Sequence, residues 1–251
     1  MQAIVNHRAG DPRQLYIVER PTPVILPNQV LIHVKAASVN IADTQEFQDY
    51  YQKKHVPTKT KLLDRAYVHS ENKVLGADGA GIIVAVGSKI KDFQLGDEVI
   101  FIADDYLHGA WAEYIAVSRK NIVLKPQNLS FTAAAALPTT AGTALAALKK
   151  AQLKVGQKVL INGASGGVGL FALQIAKAYG ASVSAVVSSY NFDLVKKFGA
   201  KEVYDYHTTD ITRKARTKFN VIIGVNGYHS VQDYKKILSF DGRYVAVGGV
   251  K

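Results

Sequence analysis

The run Val159-Leu-Ile-Asn-Gly-Ala-Ser-Gly-Gly-Val-Gly169 passes without a spare residue into Leu170-Phe-Ala-Leu-Gln-Ile-Ala-Lys-Ala-Tyr-Gly180. It dictates a strand, a glycine turn and an amphipathic helix. Gly163, Gly166, Gly167 and Gly169 let the backbone turn sharply and come close to a bulky anion, and the first N–H groups of the helix aim their positive dipole at that anion. The spacing is G-x-x-G-x-x-G, not the commoner G-x-G-x-x-G of dinucleotide sites. A tight strand-to-helix connection with nothing bound would use the same residues, so context decides.

The context is an alternation of short apolar runs and helical patterns: Ser182–Val187, Phe192–Phe198, Glu202–Tyr204, Val221–Val225, Gln232–Leu238 and Arg243–Val247. Near-continuously apolar strands such as Val159-Leu-Ile and Val221-Ile-Ile are expected where helices cover both faces of a parallel sheet. Gly180 and Gly199 each follow a helical stretch, where a left-handed cap is wanted. The glycine turn therefore sits where a doubly wound sheet binds a dinucleotide diphosphate. About twenty residues further on, where an acid would take the ribose 2′-OH of NAD, the chain has Ser188-Ser189-Tyr190-Asn191. A loop without an acid tolerates the 2′-phosphate of NADPH, although Asn191 can equally serve as a helix cap with Asp193 in the first turn.

Residues 1–125 read as β-rich, with segments Ala3–Val5, Leu15–Glu19, Val30–Ala37, Gly81–Val86, Glu98–Phe101, Trp111–Val117 and Ile122–Leu124 separated by turn residues such as Pro21-Thr-Pro23. A barrel-like domain is expected there, followed from 126 to 251 by the α/β domain. With 251 residues, 48% hydrophobic and 20% charged, the chain can bury two cores, and its composition points to a cytoplasmic protein. Cysteine is absent, which excludes disulfides, thiolate nucleophiles and sulfur-ligated zinc. The net charge of +11 calls for an anionic partner. NADPH meets part of that demand, while the basic runs Tyr51–Arg65 and Arg213–Lys218 leave nucleic acid or an anionic membrane surface open.

Seven phrases in order carry a family resemblance: Ala37-Ser-Val-Asn-Ile-Ala-Asp43, Leu75-Gly-Ala-Asp-Gly-Ala-Gly81, Phe93-Gln-Leu-Gly-Asp-Glu-Val99, Gly109-Ala-Trp-Ala-Glu-Tyr114, Ala134-Ala-Ala-Leu-Pro-Thr139 with Gly142-Thr-Ala144, the glycine turn, and Lys197-Phe-Gly-Ala-Lys-Glu-Val-Tyr-Asp-Tyr206. The chain resembles the zinc-free, zeta-crystallin-like quinone oxidoreductase branch of the medium-chain dehydrogenase/reductase superfamily. The resemblance implies a GroES-like catalytic domain, a Rossmann domain lacking its last strand, and NADPH delivering hydride to a quinone or an α,β-unsaturated carbonyl in a cleft between the domains. Asn40-Ile-Ala-Asp43 and Gly76-Ala-Asp-Gly79 stand where zinc-dependent relatives carry metal ligands. By family position Asn40 and Asp43 border the reaction, with the Asn40 amide as a hydrogen-bond donor, though a strand end and a capped turn would also explain the pair. The same positions imply cofactor contacts from Asn40, Thr143, Gly163, Gly166, Gly167, Val168, Gly169, Ser188, Ser189, Asn191, Tyr206, Val225, Val247, Gly248 and Gly249. Gln45 stands where some relatives have a tyrosine, and Tyr190 and Asn191 replace a basic residue of the phosphate loop. The chain ends at Lys251, straight after its fifth sheet strand, where family members continue. The resemblance implies either a fragment of a longer, homodimeric protein or a truncated NADPH-binding module.

Overall fold

The computed structural model describes residues 1–6, 15–43, 73–105, 109–215, 217–225 and 229–248. They form two compact units, Met1–Thr139 and Thr140–Lys251. Gln45, the basic run 51–65 and Gly249 lie outside the described residues.

In the first unit, β1 (Gln2–Asn6) and β2 (Leu15–Glu19) pair as an antiparallel ribbon. Beside it, β3 (Gln29–Ala37), β4 (Asp78–Val86), β5 (Glu98–Ile102), β6 (Tyr114–Ser118) and β7 (Ile122–Leu124) form one antiparallel sheet in the order β6-β3-β4-β5-β7. The barrel-like expectation follows from this order. Flat, the edge strands β6 and β7 would lie about 19 Å apart at ~4.8 Å per strand. Only Arg119–Asn121 joins them, and so short a connection reaches about 14 Å at most. The sheet must therefore roll until its edges approach, and register shifts between β3 and β4 at Leu31/Ile32 and Val34/Ala36 supply bends. Asp104 fastens the turn, accepting hydrogen bonds from Ser118 N (2.9 Å) and Oγ (2.7 Å), Gln29 Nε2 (2.9 Å) and Asn121 Nδ2 (2.9 Å). Burial would raise the Asp104 pKa, but these bonds hold it below the ordinary carboxylate value. Alternate residues of the strands, among them Val30, Ile32, Val99, Phe101, Ile115 and Val117, fill the core.

Two helices follow, α1 (Phe131–Ala135) and α2 (Pro138–Lys150). Ser130 caps α1 by accepting from Ala133 N, and Ala134 and Ala135 pack on Ala80 of β4. Gly142 of α2 has open space where a side chain would go. Gly142→Ala should therefore stabilise the protein by about 0.5–1 kcal/mol, read as a higher melting temperature.

The second unit is a five-stranded parallel sheet. Its strands are β8 (Lys158–Asn162), β9 (Ser182–Val187), β10 (Glu202–Asp205), β11 (Phe219–Gly224) and β12 (Leu238–Ala246), in the order β10-β9-β8-β11-β12. The connecting helices are α3 (Gly167–Ala178), α4 (Phe192–Lys197), α5 (Ile211–Lys214) and α6 (Val231–Lys235). Both faces are buried. Val159, Ile161, Val221 and Ile223 meet Leu148, Ala172 and Leu173 on one side, while Leu160, Phe219 and Ile222 meet Ile211, Tyr234 and Ile237 on the other. Gly180 (φ +77°) and Gly199 (φ +108°) end α3 and α4 in the left-handed conformation expected of them. Two elements depart from the sequence reading. Ile211–Lys214 is a helix, and the helical pattern at Gln232–Leu238 gives way to β12 at Leu238, with a register shift between Phe219 and Val221 that lets Ser239–Gly242 bulge out.

Candidate functional site

The strand order reverses between β8 and β11, which run side by side from the centre of the sheet, and this is where such sheets open a crevice at their carboxyl ends. Five chain segments leave the sheet at that end, and the expected cofactor residues of the second unit other than Thr143 lie on them. After β8, Gly163 adopts φ +82°, and its N–H donates to the Val186 carbonyl (3.0 Å), which fixes the turn against β9. Gly166 then takes the N-cap position of α3 with no side-chain cap, so no side chain of the cap competes for the first-turn N–H groups of Gly167, Val168 and Gly169. A Cβ on Gly169 would overlap the Gly163 carbonyl oxygen and lie 2.7 Å from Ala164 Cα. One on Gly166 would meet nothing nearer than 3.8 Å. Gly169 is thus required by packing against the turn that follows β8, whereas packing does not require a glycine at 166. Thr140 Cγ2 would lie 3.0 Å from a Cβ on Gly167, so the amino-terminal part of α2 flanks the cradle. Thr143 lies one turn further along α2, inside the helix and not at its cap.

After β9, Ser188, Ser189 and Asn191 form a single tight turn. Asn191 N donates to the Ser188 carbonyl (2.9 Å) and Asn191 Nδ2 to Ser188 Oγ (3.1 Å). The Asn191 amide is spent on that turn and makes no cap bond to α4. Tyr190 between them is 95% exposed. β10 ends at Asp205, whose Oδ1 accepts from His207 N (2.9 Å) and lies 3.0 Å from His207 Nδ1. The His207 N–H, its ring and the Ser189 hydroxyl hold this carboxyl below its ordinary pKa. Tyr206 is 40% exposed and lies against the His207 ring, with centroids 4.0 Å apart. After β11, Val225 N donates to the Asn162 carbonyl (2.9 Å), and after β12, Val247 N donates to the Gly224 carbonyl (2.8 Å). Both valines pack on the core, and Gly248 (φ +65°) is exposed beyond them.

Sequence reading missed Asn162 at the end of β8. It is 1% exposed, its Nδ2 donates to Tyr234 Oη, and its Oδ1 is buried without a partner. A polar residue closing an apolar strand is the signal that was available.

In the first unit, Asn40 and Asp43 form half of a capping box around a short helical turn. Asp43, 2% exposed, accepts from Asn40 N (2.6 Å) through Oδ2. Both amide hydrogens of Asn40 are engaged, one by Ser38 Oγ and one by Asp78 Oδ1, each at 2.9 Å. The atom Asn40 has left to offer is therefore Oδ1, an acceptor. Asp78 organises the cluster from the start of β4. It is 1% exposed, its Oδ1 also accepts from Ser38 Oγ, and its Oδ2 accepts from Thr139 N (2.8 Å). Trp111 Nε1 donates to the Ser38 carbonyl (2.9 Å) and closes the cluster. Among the described residues, no group of three or more His, Asp or Glu side chains is placed to hold a metal.

Residues 26–127 match the family "Alcohol dehydrogenase GroES-like domain", and residues 167–251 match "Zinc-binding dehydrogenase". The chain is 40% identical over 197 residues to the mouse mitochondrial NAD(P)H oxidoreductase RTN4IP1, which covers 73% of this chain and 48% of that protein. It is 34% identical over 235 residues to the Arabidopsis thaliana chloroplastic NADPH-dependent alkenal/one oxidoreductase, covering 90% of this chain and 57% of that one. Among solved structures, the Coxiella burnetii quinone oxidoreductase superposes with a TM-score of 0.82 at 34% identity, covering 100% of this chain and 76% of that one. The chain thus spans about half the length of the first of these relatives. The cytoplasmic expectation is overturned, because the RTN4IP1 relatives are designated mitochondrial and composition does not distinguish two reducing compartments.

Proposed function

The chain belongs to the zinc-free quinone oxidoreductase branch of the medium-chain dehydrogenase/reductase superfamily, and on that footing we propose that it binds NADPH and reduces a quinone or an α,β-unsaturated carbonyl. The observation that supports this most directly is that the carboxyl ends of all five parallel strands share one edge of the sheet, and that the helix leaving the central strand β8 there starts without a side-chain cap at a glycine with open space beside it. The cradle fits a dinucleotide: backbone N–H groups of Gly167, Val168 and Gly169 take the diphosphate, and Val225, Val247 and Gly248 border the nicotinamide ribose. Thr143 and Asn40 contribute toward the nicotinamide, Asn40 through Oδ1. When bound, NADPH supplies a hydride to the electron-poor carbon of the acceptor. Residues 1–125 serve the acceptor and residues 126–251 the dinucleotide. A homodimer is the expected assembly, and among the described residues β12 is an edge strand of the parallel sheet open to further pairing.

The preference for NADPH over NADH rests on the loop Ser188, Ser189 and Asn191, which carries no carboxylate and whose Ser188 hydroxyl, an acceptor from Asn191 Nδ2, still has its proton to donate, and on Tyr206 at the adenine end. Asp205, the nearby acid, is occupied by His207. Ser188→Asp should shift the ratio of NADPH to NADH affinity toward NADH by about tenfold or more, since an acid at this point takes the ribose 2′-OH and repels a 2′-phosphate. Fluorescence titration with both cofactors measures it. Oxidation of NADPH by a panel of quinones and enones tests the activity itself. Binding without turnover of any acceptor would leave a dinucleotide-binding module, and no binding at all would overturn the proposal.

A further inference from the structure

The positive charge of this protein is not where its cofactor cradle is. Residues 140–251 carry sixteen Lys and Arg against six Asp and Glu, so nearly the whole excess of +11 belongs to the second unit. Within it, each helix α2 to α6 has basic residues in its last turn, where cations suit the negative end of a helix dipole. Each of these helices feeds the amino end of a sheet strand. Parallel topology therefore gathers the helix ends, and their lysines, at the pole opposite the cradle. Lys149, Lys154, Lys158, Lys177, Lys201 and Lys218 are all exposed there.

The loops of this pole are stitched into one surface. Gly156 N donates to the Gly180 carbonyl (3.0 Å), Lys158 N to Asn220 Oδ1 (2.9 Å), Asn220 Nδ2 to Ser239 Oγ (3.4 Å), and Arg243 Nη1 to the Ala151 carbonyl (3.3 Å). Three apolar side chains project from the same loops: Val155 (82% exposed), Tyr179 (46%) and Phe240, which is fully exposed. The acids on this side are few. Glu202 is engaged by Ser184 and Tyr204, Asp241 by Ser239, and Asp233 by Lys236. Strands of five residues hold the two poles about 17 Å apart, well beyond the Debye length of ~8 Å at physiological ionic strength. The lysine pole therefore does little for the cofactor diphosphate, and it calls for a second anionic partner.

We propose that this pole docks the protein on an anionic phospholipid bilayer, with lysines against the headgroups and Val155, Tyr179 and Phe240 entering the interface. Lysines dominate the pole, and a diffuse lysine field suits headgroup attraction, whereas phosphate recognition in a nucleic acid favours the bidentate fork of arginine. Loop-tip aliphatic and aromatic side chains supply the apolar contact that a lipid interface accepts, and the aliphatic Val155 among them has no base-stacking use.

Flotation of the full chain with phosphatidylcholine vesicles, with and without phosphatidylserine, tests this independently of the redox reading. Binding is expected only to the anionic vesicles and should disappear as salt rises from ~0.1 M to ~0.5 M. The triple variant Lys154→Glu, Lys158→Glu, Lys201→Glu should lose about tenfold or more in vesicle affinity. The double variant Val155→Ser, Phe240→Ser should weaken it while keeping the salt dependence. NADPH titration of both variants should match the parent, which shows that the fold and the cradle are intact. Vesicle binding unchanged in the triple variant would overturn the proposal. So would a protein that takes NADPH and a single-stranded oligonucleotide but no vesicle. Vesicle binding without NADPH binding would sustain this proposal and overturn the preceding one.

Discussion

Gly169→Ala is expected to lower NADPH affinity by about a hundredfold, because the added methyl has nowhere to go. Its neighbours are the Gly163 carbonyl oxygen and Ala164, both main chain, and neither can move aside as a side-chain tip would. Overpacking of this kind costs about 1–3 kcal/mol. The fold relieves it by backing α3 away from β8, and that carries the first-turn N–H groups away from the diphosphate. A loss near 2.7 kcal/mol of binding corresponds to roughly two decades in Kd. Gly166→Ala gives the contrast, since its methyl would be 3.8 Å from the nearest protein atom. That variant should melt like the parent and still bind NADPH more weakly, because only a ligand close to Gly166 meets the methyl. Fluorescence titration and thermal melting of both variants measure the two effects. Parental affinity in Gly169→Ala would show that the dinucleotide does not depend on this helix start.

The cradle was legible because its signal is local. A buried strand, four glycines and a helix repeat follow one another, and two of the glycines, Gly163 by its positive φ and Gly169 by close packing, have a backbone reason. The parallel strands were legible for a similar reason, as runs apolar on both faces. Ile211–Lys214 escaped because four residues are too few to display a helical period. The start of β12 escaped because Leu238 stands four residues after Tyr234, the apolar spacing of a helix, and only pairing with β11 decides the matter. The charge was readable as a total and as two clusters, but its concentration at one pole depends on the parallel topology, which brings residues from five loops together. Asp78 was visible in Gly76-Ala-Asp-Gly79, and the motif was informative mainly for the metal ligands it lacks. A carboxylate among glycines suggests a turn, whereas the structure buries it at the start of β4, facing three donors.

That burial makes Asp78 the residue of the first unit whose loss should be felt most. Asp78→Ala would leave the Ser38 hydroxyl, one Asn40 amide hydrogen and the Thr139 N–H without their acceptor. Stranding buried donors costs about 1–3 kcal/mol each, and more when the lost acceptor is charged. Because the three share one site and can partly relax together, a combined loss of about 3–5 kcal/mol is expected, not the full sum. Asp78→Asn should fall between parent and alanine. One carboxylate oxygen becomes an NH2 group, so either the Ser38 and Asn40 side or the Thr139 side must face a donor. Thermal or urea unfolding of the three proteins should rank them parent, asparagine, alanine. The same series probes Asn40, whose amide is pinned by Asp78 and Ser38 so that only Oδ1 is left to offer. In Asp78→Asn at a temperature where the protein remains folded, turnover with a quinone should drop while NADPH affinity, set largely in the second unit, changes little. An asparagine variant that melts with the parent would show that the buried carboxylate does not hold this cluster together.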